Sequence, residues 1–289
     1  MPINARTRFY LLLGNPVEHS LSPPMHNSAF DALGLNCVYL ACPVDYEHIG
    51  AAVRGMKALS AAGGNVTAPF KEAVIHYLDS VSPESEHVKS VNTIINRGGM
   101  LYGTTTDGEG FYRYLSQTDP SYSSGQTVLV VGAGGAARAV AYTLAHRGAG
   151  EIIVANRSGS RGRALCQLLS EKTPLQNCSY ISLDGRSMGE VLARCRLVVY
   201  SLPFDAPEFD DALTVADGLD VKQLLIDLRY NPDQTGIMEA FERKGGGAYN
   251  GLGMLVWQAV KSFELFTGEK APGEIMQKAA GVQKTKPST

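Results

Sequence analysis

Tryptophan occurs once in the 289 residues and cysteine five times, and neither sign of charge predominates, with 26 Lys plus Arg against 28 Asp plus Glu. Each scarcity excludes something. A net charge of −2 supplies no global field to hold a polyanion or an anionic bilayer, so neither nucleic acid nor membrane is an expected partner. The cysteines (Cys37, Cys42, Cys166, Cys178, Cys195) contain no C-x-x-C pair and fit reduced thiols better than a disulfide framework. The six histidines show no H-x-x-x-H or related spacing, so no metal site is expected. The apolar run "FYLLLG" near the start is too short for a signal-peptide core and far too short for a bilayer span, and a soluble, cytoplasmic protein is expected. What remains is an ordinary globular balance, 44% hydrophobic and 19% charged, at a length that suits two domains.

Short apolar runs alternate with helical patterns along the chain. "YLLLG", "VYLACPV" and "GGNVT" read as strands, with helices over "SPPMHNSAFDALG" and "YEHIGAAVRGMKAL" between them. Alternation of this kind predicts βαβ units and a mainly parallel sheet. The composition changes to a polar linker, "SQTDPSYSSG", at Ser116–Gly125. A second α/β series follows, with strands at "TVLVVG", "EIIVANR", "LVVYSLP" and "LLIDLRYNP". "KGGGAYNG" reads as a loop. The stretch "GMLVWQAVKSFELFTG" returns to helix, with Leu255, Ala259, Phe263 and Phe266 on one face and Trp257 serving helix packing. The tail "VQKTKPST" reads as frayed.

"VLVVGAGGAARAV" is the most specific motif. A strand runs into Gly132, Gly134 and Ala137, the G-x-G-x-x-A form of the dinucleotide fingerprint. Gly132 permits a tight turn, Gly134 lets backbone approach a pyrophosphate, and the following helix N-terminus offers amide donors. At the end of the next strand, where an acid would hold the ribose hydroxyls of NAD, the chain has "ANRSGSR". Asn156, Arg157 and Arg161 match a phosphate instead, which selects NADP over NAD.

Four further stretches carry polar groups that a core does not need: "GNPVEHSLSPPMHN", "GGNVTAPFKE", "SVNTI" and "GTTTDGEG". Taken singly, each has an ordinary use. Ser20 and Ser22 suit a turn and N-cap before Pro23 and Pro24, and Asn65, Thr67 and Asn92 suit strand ends. Asp107 suits an Asx-turn before Gly108, and most lysines like Lys71 are solvated. Together with "VGAGGAARA", "ANRSGSR", "DLRYNP" and "GLGMLVWQA", in this order over nearly the whole chain, they resemble the shikimate dehydrogenase family.

The resemblance implies reversible, NADPH-dependent reduction of 3-dehydroshikimate to shikimate in aromatic amino acid biosynthesis. It implies two α/β domains with the active site in the cleft between them. The substrate domain would be residues 1–107 completed by helices in 252–289, and the Rossmann-type NADP domain residues 108–251. Lys71 and Asp107 match the catalytic pair. Ser20 and Ser22 match the serines that hold the carboxylate. Asn65, Thr67, Asn92 and Gln258 match groups around the ring hydroxyls, and Tyr230 a tyrosine against the substrate. Gly132, Gly134, Gly135 and Ala136 match the pyrophosphate loop, and Asn156, Arg157 and Arg161 the NADP phosphate clamp. The chemistry is coherent, because a small polyhydroxylated carboxylate suits Ser, Thr, Asn and Gln donors. Hydride transfer at a secondary alcohol needs a proton acceptor in one direction and a donor in the other, which Lys71 can be, with Asp107 holding its ammonium. A monomer or homodimer is expected.

The chain departs from the family at three places. Thr105 stands where Asn is usual, Ser201–Leu202–Pro203 open the unusual segment "YSLPFDAPEFDD", and Ser90 stands where Ala is common. Thr105 and that segment keep open a quinate/shikimate or other cyclic polyol-acid dehydrogenase. A different class, a catalytically weak NADP-binding paralogue acting as a sensor, is opposed by the intact Lys71 and Asp107.

Overall fold

The structure, a computed structural model, describes residues 3–183, 187–203 and 222–282. The chain forms two compact units, residues 1–111 with 255–289 and residues 112–254. Both crossings fall inside helices, Asp107–Thr118 (α4) and Leu252–Thr267 (α9). Residues 204–211 of the unusual segment and the tail from Gln283 lie outside the described residues.

The first unit is built on six strands: Arg8–Gly14 (β1), Cys37–Pro43 (β2), Gly63–Val66 (β3), Ser80–Val81 (β4), Thr93–Arg97 (β5) and Met100–Thr104 (β6). Their order is β2-β1-β3-β5-β6-β4, and β5 alone runs antiparallel to its neighbours. The reversed strand was not anticipated. Its sequence signal is Gly98–Gly99, two residues at φ +60° and +90° that close a tight β5–β6 hairpin. The reversal has a positional consequence. β1, β3 and β6 all end at one sheet edge, and β5 begins there, so the segments after Gly14, Val66 and Thr104 and the one before Thr93 share that edge.

Ser22–Ala32 (α1), Ile49–Ala58 (α2) and Pro83–Val88 (α3) complete the N-terminal part. Side chains alternate along β1, which gives the sheet two different faces. Leu13 joins Val53, Met56, Phe70 and Ile94 in an aliphatic core. Tyr10, pointing the other way, packs on Phe30 and Phe266, with His26, Tyr39 and Phe263 in the same aromatic group. Ala259, Phe263 and Phe266 are buried as their helical spacing requires, while Leu255 and Trp257 are half-buried.

The second unit holds Thr127–Val131 (β7), Glu151–Ala155 (β8), Asn177–Ile181 (β9), Leu197–Tyr200 (β10), Leu224–Asp227 (β11) and Gly247–Tyr249 (β12), all parallel in the order β12-β11-β10-β7-β8-β9. The chain winds one way from β7 and then the other, so the order reverses between β7 and β10, the doubly wound Rossmann arrangement. Its helices are Gly135–His146 (α5), Gly159–Lys172 (α6), Ser187–Arg194 (α7) and Gly236–Arg243 (α8). Continuous apolar strands such as Val128–Val131 fit a parallel sheet buried on both faces. One expectation is corrected here: "KGGGAYNG" is not all loop. Gly247–Tyr249 pairs with β11, whose open edge supplies hydrogen bonds that override the poor strand propensity of glycine. Gly273–Ala279 (α10) is the last described helix, and among the described residues no helix is long and apolar enough to cross a membrane.

Candidate active site

Lys71 and Asp107 meet at the shared edge of the first sheet. Lys71 lies four residues beyond Thr67 on the segment leaving β3, and Asp107 opens α4 just after β6. Lys71 Nζ is 2.7 Å from Asp107 Oδ2, and the two side chains are 22% and 4% exposed. The ammonium is therefore open to an incoming molecule while its partner is enclosed. The other carboxylate oxygen, Asp107 Oδ1, accepts from Asn92 Nδ2 at 2.8 Å. Both carboxylate oxygens are thus held by side chains.

Asn92 is the hub of this network. Its Oδ1 accepts from the Thr106 backbone N–H at 2.9 Å, a group that can only donate, so Nδ2 must face Asp107 and Gln258. Gln258 Nε2 donates to the Leu255 carbonyl, leaving Oε1 to accept from Asn92 at 3.1 Å. Gly110 explains how Gln258 comes so near. A Cβ there would lie 2.6 Å from the Gln258 backbone nitrogen, so only glycine lets α4 and α9 touch at this point.

Asn65, in register with Thr93 across β3 and β5, donates to the Asn92 carbonyl at 3.0 Å and to Ser262 Oγ at 3.0 Å. Its Oδ1 accepts from the Tyr39 hydroxyl at 2.8 Å. Thr67 is half-buried on the same segment, anchored by its N–H to Leu13. On the segment leaving β1, the Ser20 hydroxyl accepts from the Ser22 N–H at 3.2 Å, and Ser22 is buried at the start of α1. The turn use of Ser20 is therefore real and leaves its hydroxyl proton free to donate, whereas the N-cap of α1 is Leu21 and no side chain caps it.

The second unit presents its polar groups differently. Gly132, at φ +110°, follows β7, and a Cβ there would lie 2.3 Å from Ser201 Oγ. Gly134 caps α5, and a Cβ there would meet nothing within 4 Å. The N-terminal turn of α5, from Gly135 and Ala136, thus begins beside open space, as a bound pyrophosphate needs. At the end of β8, Asn156 is buried and its amide donates to the Ser158 carbonyl, whereas Arg157 and Arg161 are exposed. Ser158 caps α6 by accepting from the Arg161 N–H. Two guanidinium groups and a capped helix start fit a ribose phosphate. Tyr230 belongs to this unit, half-buried, and burial pushes its phenol pKa up.

Family models of the shikimate dehydrogenase substrate binding domain, of shikimate / quinate 5-dehydrogenase and of the shikimate 5'-dehydrogenase C-terminal domain match residues 12–94, 115–209 and 251–280. The chain is 43% identical over 279 residues to the shikimate dehydrogenase (NADP(+)) of Methanopyrus kandleri, covering 96% of each. The chain belongs to the shikimate dehydrogenase family. Its fold matches a shikimate dehydrogenase solved in complex with NADP+, at TM-score 0.85 and 33% identity over 99% of this chain and 98% of that one. It also matches the shikimate 5-dehydrogenase of Listeria monocytogenes solved with shikimate and NAD, at 0.87 and 32% over 96% and 98%.

Against that family, Thr105 and Ser201–Leu202 have local explanations, and nothing in the structure explains Ser90. Thr105 is buried, and its Oγ1 accepts from the Asp107 N–H at 3.4 Å, so it braces the turn while Asn92 and Lys71 aim the carboxylate. Ser201 bonds the Val131 carbonyl at 2.8 Å, and Leu202 packs on the second core. Ser90 is fully buried with a hydroxyl that finds no partner. The sequence reading passed over Tyr39, Thr93 and Ser262 in this family member. Ser262 had a signal, since it follows Gln258 by one helical turn on the same face of α9.

Proposed function

We propose that this chain is an NADP-dependent shikimate dehydrogenase that reversibly reduces 3-dehydroshikimate to shikimate in aromatic amino acid biosynthesis. The observation that carries this reading is the Lys71–Asp107 pair, partly exposed at Lys71, enclosed at Asp107 and oriented from behind by Asn92. The family's NADP(+)-dependent relatives support the cofactor, as do Arg157 and Arg161 beside a glycine loop with room above Gly134. Bound NADPH supplies the hydride. Lys71 Nζ donates its proton to the oxygen of the carbonyl being reduced and stabilises the growing negative charge there; in the oxidative direction the neutral amine takes the hydroxyl proton. Asp107 fixes the direction in which Nζ points and does not itself transfer the proton.

Ser20 and Ser22 hold the substrate carboxylate in this reading, and Thr67, Asn92, Gln258 and Tyr230 the ring oxygens. Asn65, whose amide oxygen and nitrogen are both taken by protein groups, shapes that wall. Gly132, Gly134, Gly135 and Ala136 receive the pyrophosphate, and Asn156 shapes the clamp. The protein works in the cytoplasm as a monomer or homodimer on a small molecule, with no nucleic acid partner.

Nicotinamide absorbance tests this with shikimate and quinate, each offered with NADP and with NAD. Shikimate-dependent reduction of NADP, abolished in Lys71→Ala, is expected. A preference for quinate would move the substrate assignment, and absence of turnover with all four pairs would overturn the function.

A further inference from the structure

Arg157 and Arg161 are not the only cations at the start of α6. Arg163 is exposed as well, and its guanidinium is held without a charged partner, since no carboxylate among the described residues pairs with it. Arg163 Cζ lies 5.2 Å from the centre of the Tyr180 ring on β9. Its second neighbour is Gly159, one helical turn back along α6. A Cβ at Gly159 would lie 2.9 Å from Arg163 Nη2, 3.1 Å from Nη1 and 3.2 Å from Cζ. The guanidinium therefore fills the place of a side chain at 159 and sits at the first turn of the helix, the direction in which a long helical side chain leans.

Tyr180 ties this arrangement to the clamp. A Cβ at Gly162 would lie 2.3 Å from Tyr180 Cδ2, so only a glycine there lets the helix rest on the ring. The Tyr180 hydroxyl donates to the Asn156 carbonyl at 3.0 Å, Asn156 Nδ2 donates to the Ser158 carbonyl at 2.9 Å, and Ser158 Oγ accepts from the Arg161 N–H. One tyrosine thus fixes both the turn that carries Arg157 and the guanidinium of Arg163. Arg161 and Arg163, two residues apart, stand about 200° apart around the helix and lean toward its start from different sides. The N-terminus of a helix is its positive end, so a cation held there is unfavourable on its own and is offset by an arriving anion.

We infer that Arg163 is a third cation for the ribose phosphate of NADP, placed at the helix start by Tyr180 and by the missing side chain of Gly159. The inference rests on the cofactor assignment proposed above. Only the phosphorylated nucleotide gains from this contact, because a free ribose hydroxyl offers a guanidinium no charge to meet. Arg163 therefore discriminates NADP from NAD and takes no part in the chemical step.

Calorimetric titration of the full chain with adenosine 2′,5′-bisphosphate and with adenosine 5′-monophosphate tests it, since the two differ only by the ribose phosphate. Arg163→Gln should weaken the bisphosphate about fivefold, the scale of one solvated charge-assisted contact, and the monophosphate less than about twofold. Gly159→Ala removes no charge, and its backbone lies outside the left-handed region, so the helix accepts the alanine. Its methyl drives the guanidinium from the helix start and should give a similar loss. In an Arg163→Gln background, Gly159→Ala should add less than about twofold. An unchanged bisphosphate affinity in Arg163→Gln, an equal loss for both nucleotides, or full additivity of the two substitutions overturns the inference alone. A wild-type chain that binds the two nucleotides equally overturns the NADP assignment, and the role of Arg163 with it.

Discussion

In residues 112–254 the sheet is apolar along its strands, and the polar chemistry sits on the turns that leave it; in the other unit, polar side chains are buried along the sheet edge itself. Val128–Val131 and Leu197–Tyr200 are fully buried, while the groups suited to NADP are backbone amides near Gly134 and exposed arginines. The first unit buries Asn65, Asn92, Thr93, Thr106, Asp107, Gln258 and Ser262 together and satisfies them with one another. The contrast teaches that a dinucleotide can be met largely by backbone, whose direction the fold already sets. A small ring with several hydroxyls needs side-chain groups of defined polarity, and in a buried setting each such group must be fixed by another. One site is vulnerable to an added Cβ, and the other to a lost polar atom.

The strongest way to break this comparison is at Lys71. Lys71→Ala should lower kcat about 10²–10⁴-fold, the usual contribution of a positioned acid–base group, and leave NADP affinity unchanged. If titration of the variant showed weakened NADP binding instead, the division of labour between the units would fail. The glycine loop offers the converse test. Gly132→Ala forces a side chain onto φ +110° and into Ser201, and should lower both stability and cofactor affinity. Gly134→Ala meets no protein atom, so its melting temperature should hold within about 2 °C, the shift expected from well under 1 kcal/mol in a chain of this size. Its NADP affinity should nonetheless fall about tenfold, because the pyrophosphate needs that close approach. Equal NADP affinity in Gly134→Ala and wild type would sink the pyrophosphate assignment.

A smaller effect sharpens the cofactor side. Arg157→Ala with Arg161→Ala should weaken NADP about tenfold while NAD affinity changes less than twofold, since only the ribose phosphate loses its charged partners. A uniform loss for both nucleotides, seen by calorimetry, would place the arginines elsewhere on the cofactor.

The same contrast explains what was legible in the amino-acid sequence. The dinucleotide loop could be read because backbone sites leave glycines at fixed spacing after an apolar strand, and Gly132 and Gly134 stand where that geometry requires. The catalytic pair could not be read from Lys71 or Asp107 alone, since each has an ordinary surface or turn use; it became visible only through the company of the other motifs. The reversal of β5 was hidden because pairing is non-local, although Gly98–Gly99 marked its hairpin. β12 was hidden because it opens on Gly247, the last of three successive glycines, a residue of poor strand propensity. Tyr39 was hidden most completely. In sequence it is one more aromatic in a strand, and nothing there shows that its hydroxyl donates to Asn65, two strands away in the sheet.

The least of the expected effects lies behind Tyr39, where the rule that buried polar groups satisfy one another is broken. His26 is fully buried among aromatic rings, and neither ring nitrogen has a hydrogen-bond partner. Burial lowers its pKa from 6.5 to about 3. The folded state therefore keeps His26 neutral where the unfolded chain protonates it, so the unfolded state binds more protons between those two values. Stability must then fall as pH drops below 6.5, and continue to fall toward about 3. For one such group the loss between pH 6.5 and 5.5 is about 1 kcal/mol. His26→Leu, close in volume and without nitrogens, removes this slope while other titrating groups remain. Urea unfolding of both proteins at the two pH values should show the variant gaining about 1 kcal/mol on wild type at the lower one. Parallel curves would mean that protonated His26 finds a partner in the folded protein, and that the first unit contains no exception to mutual satisfaction at this position.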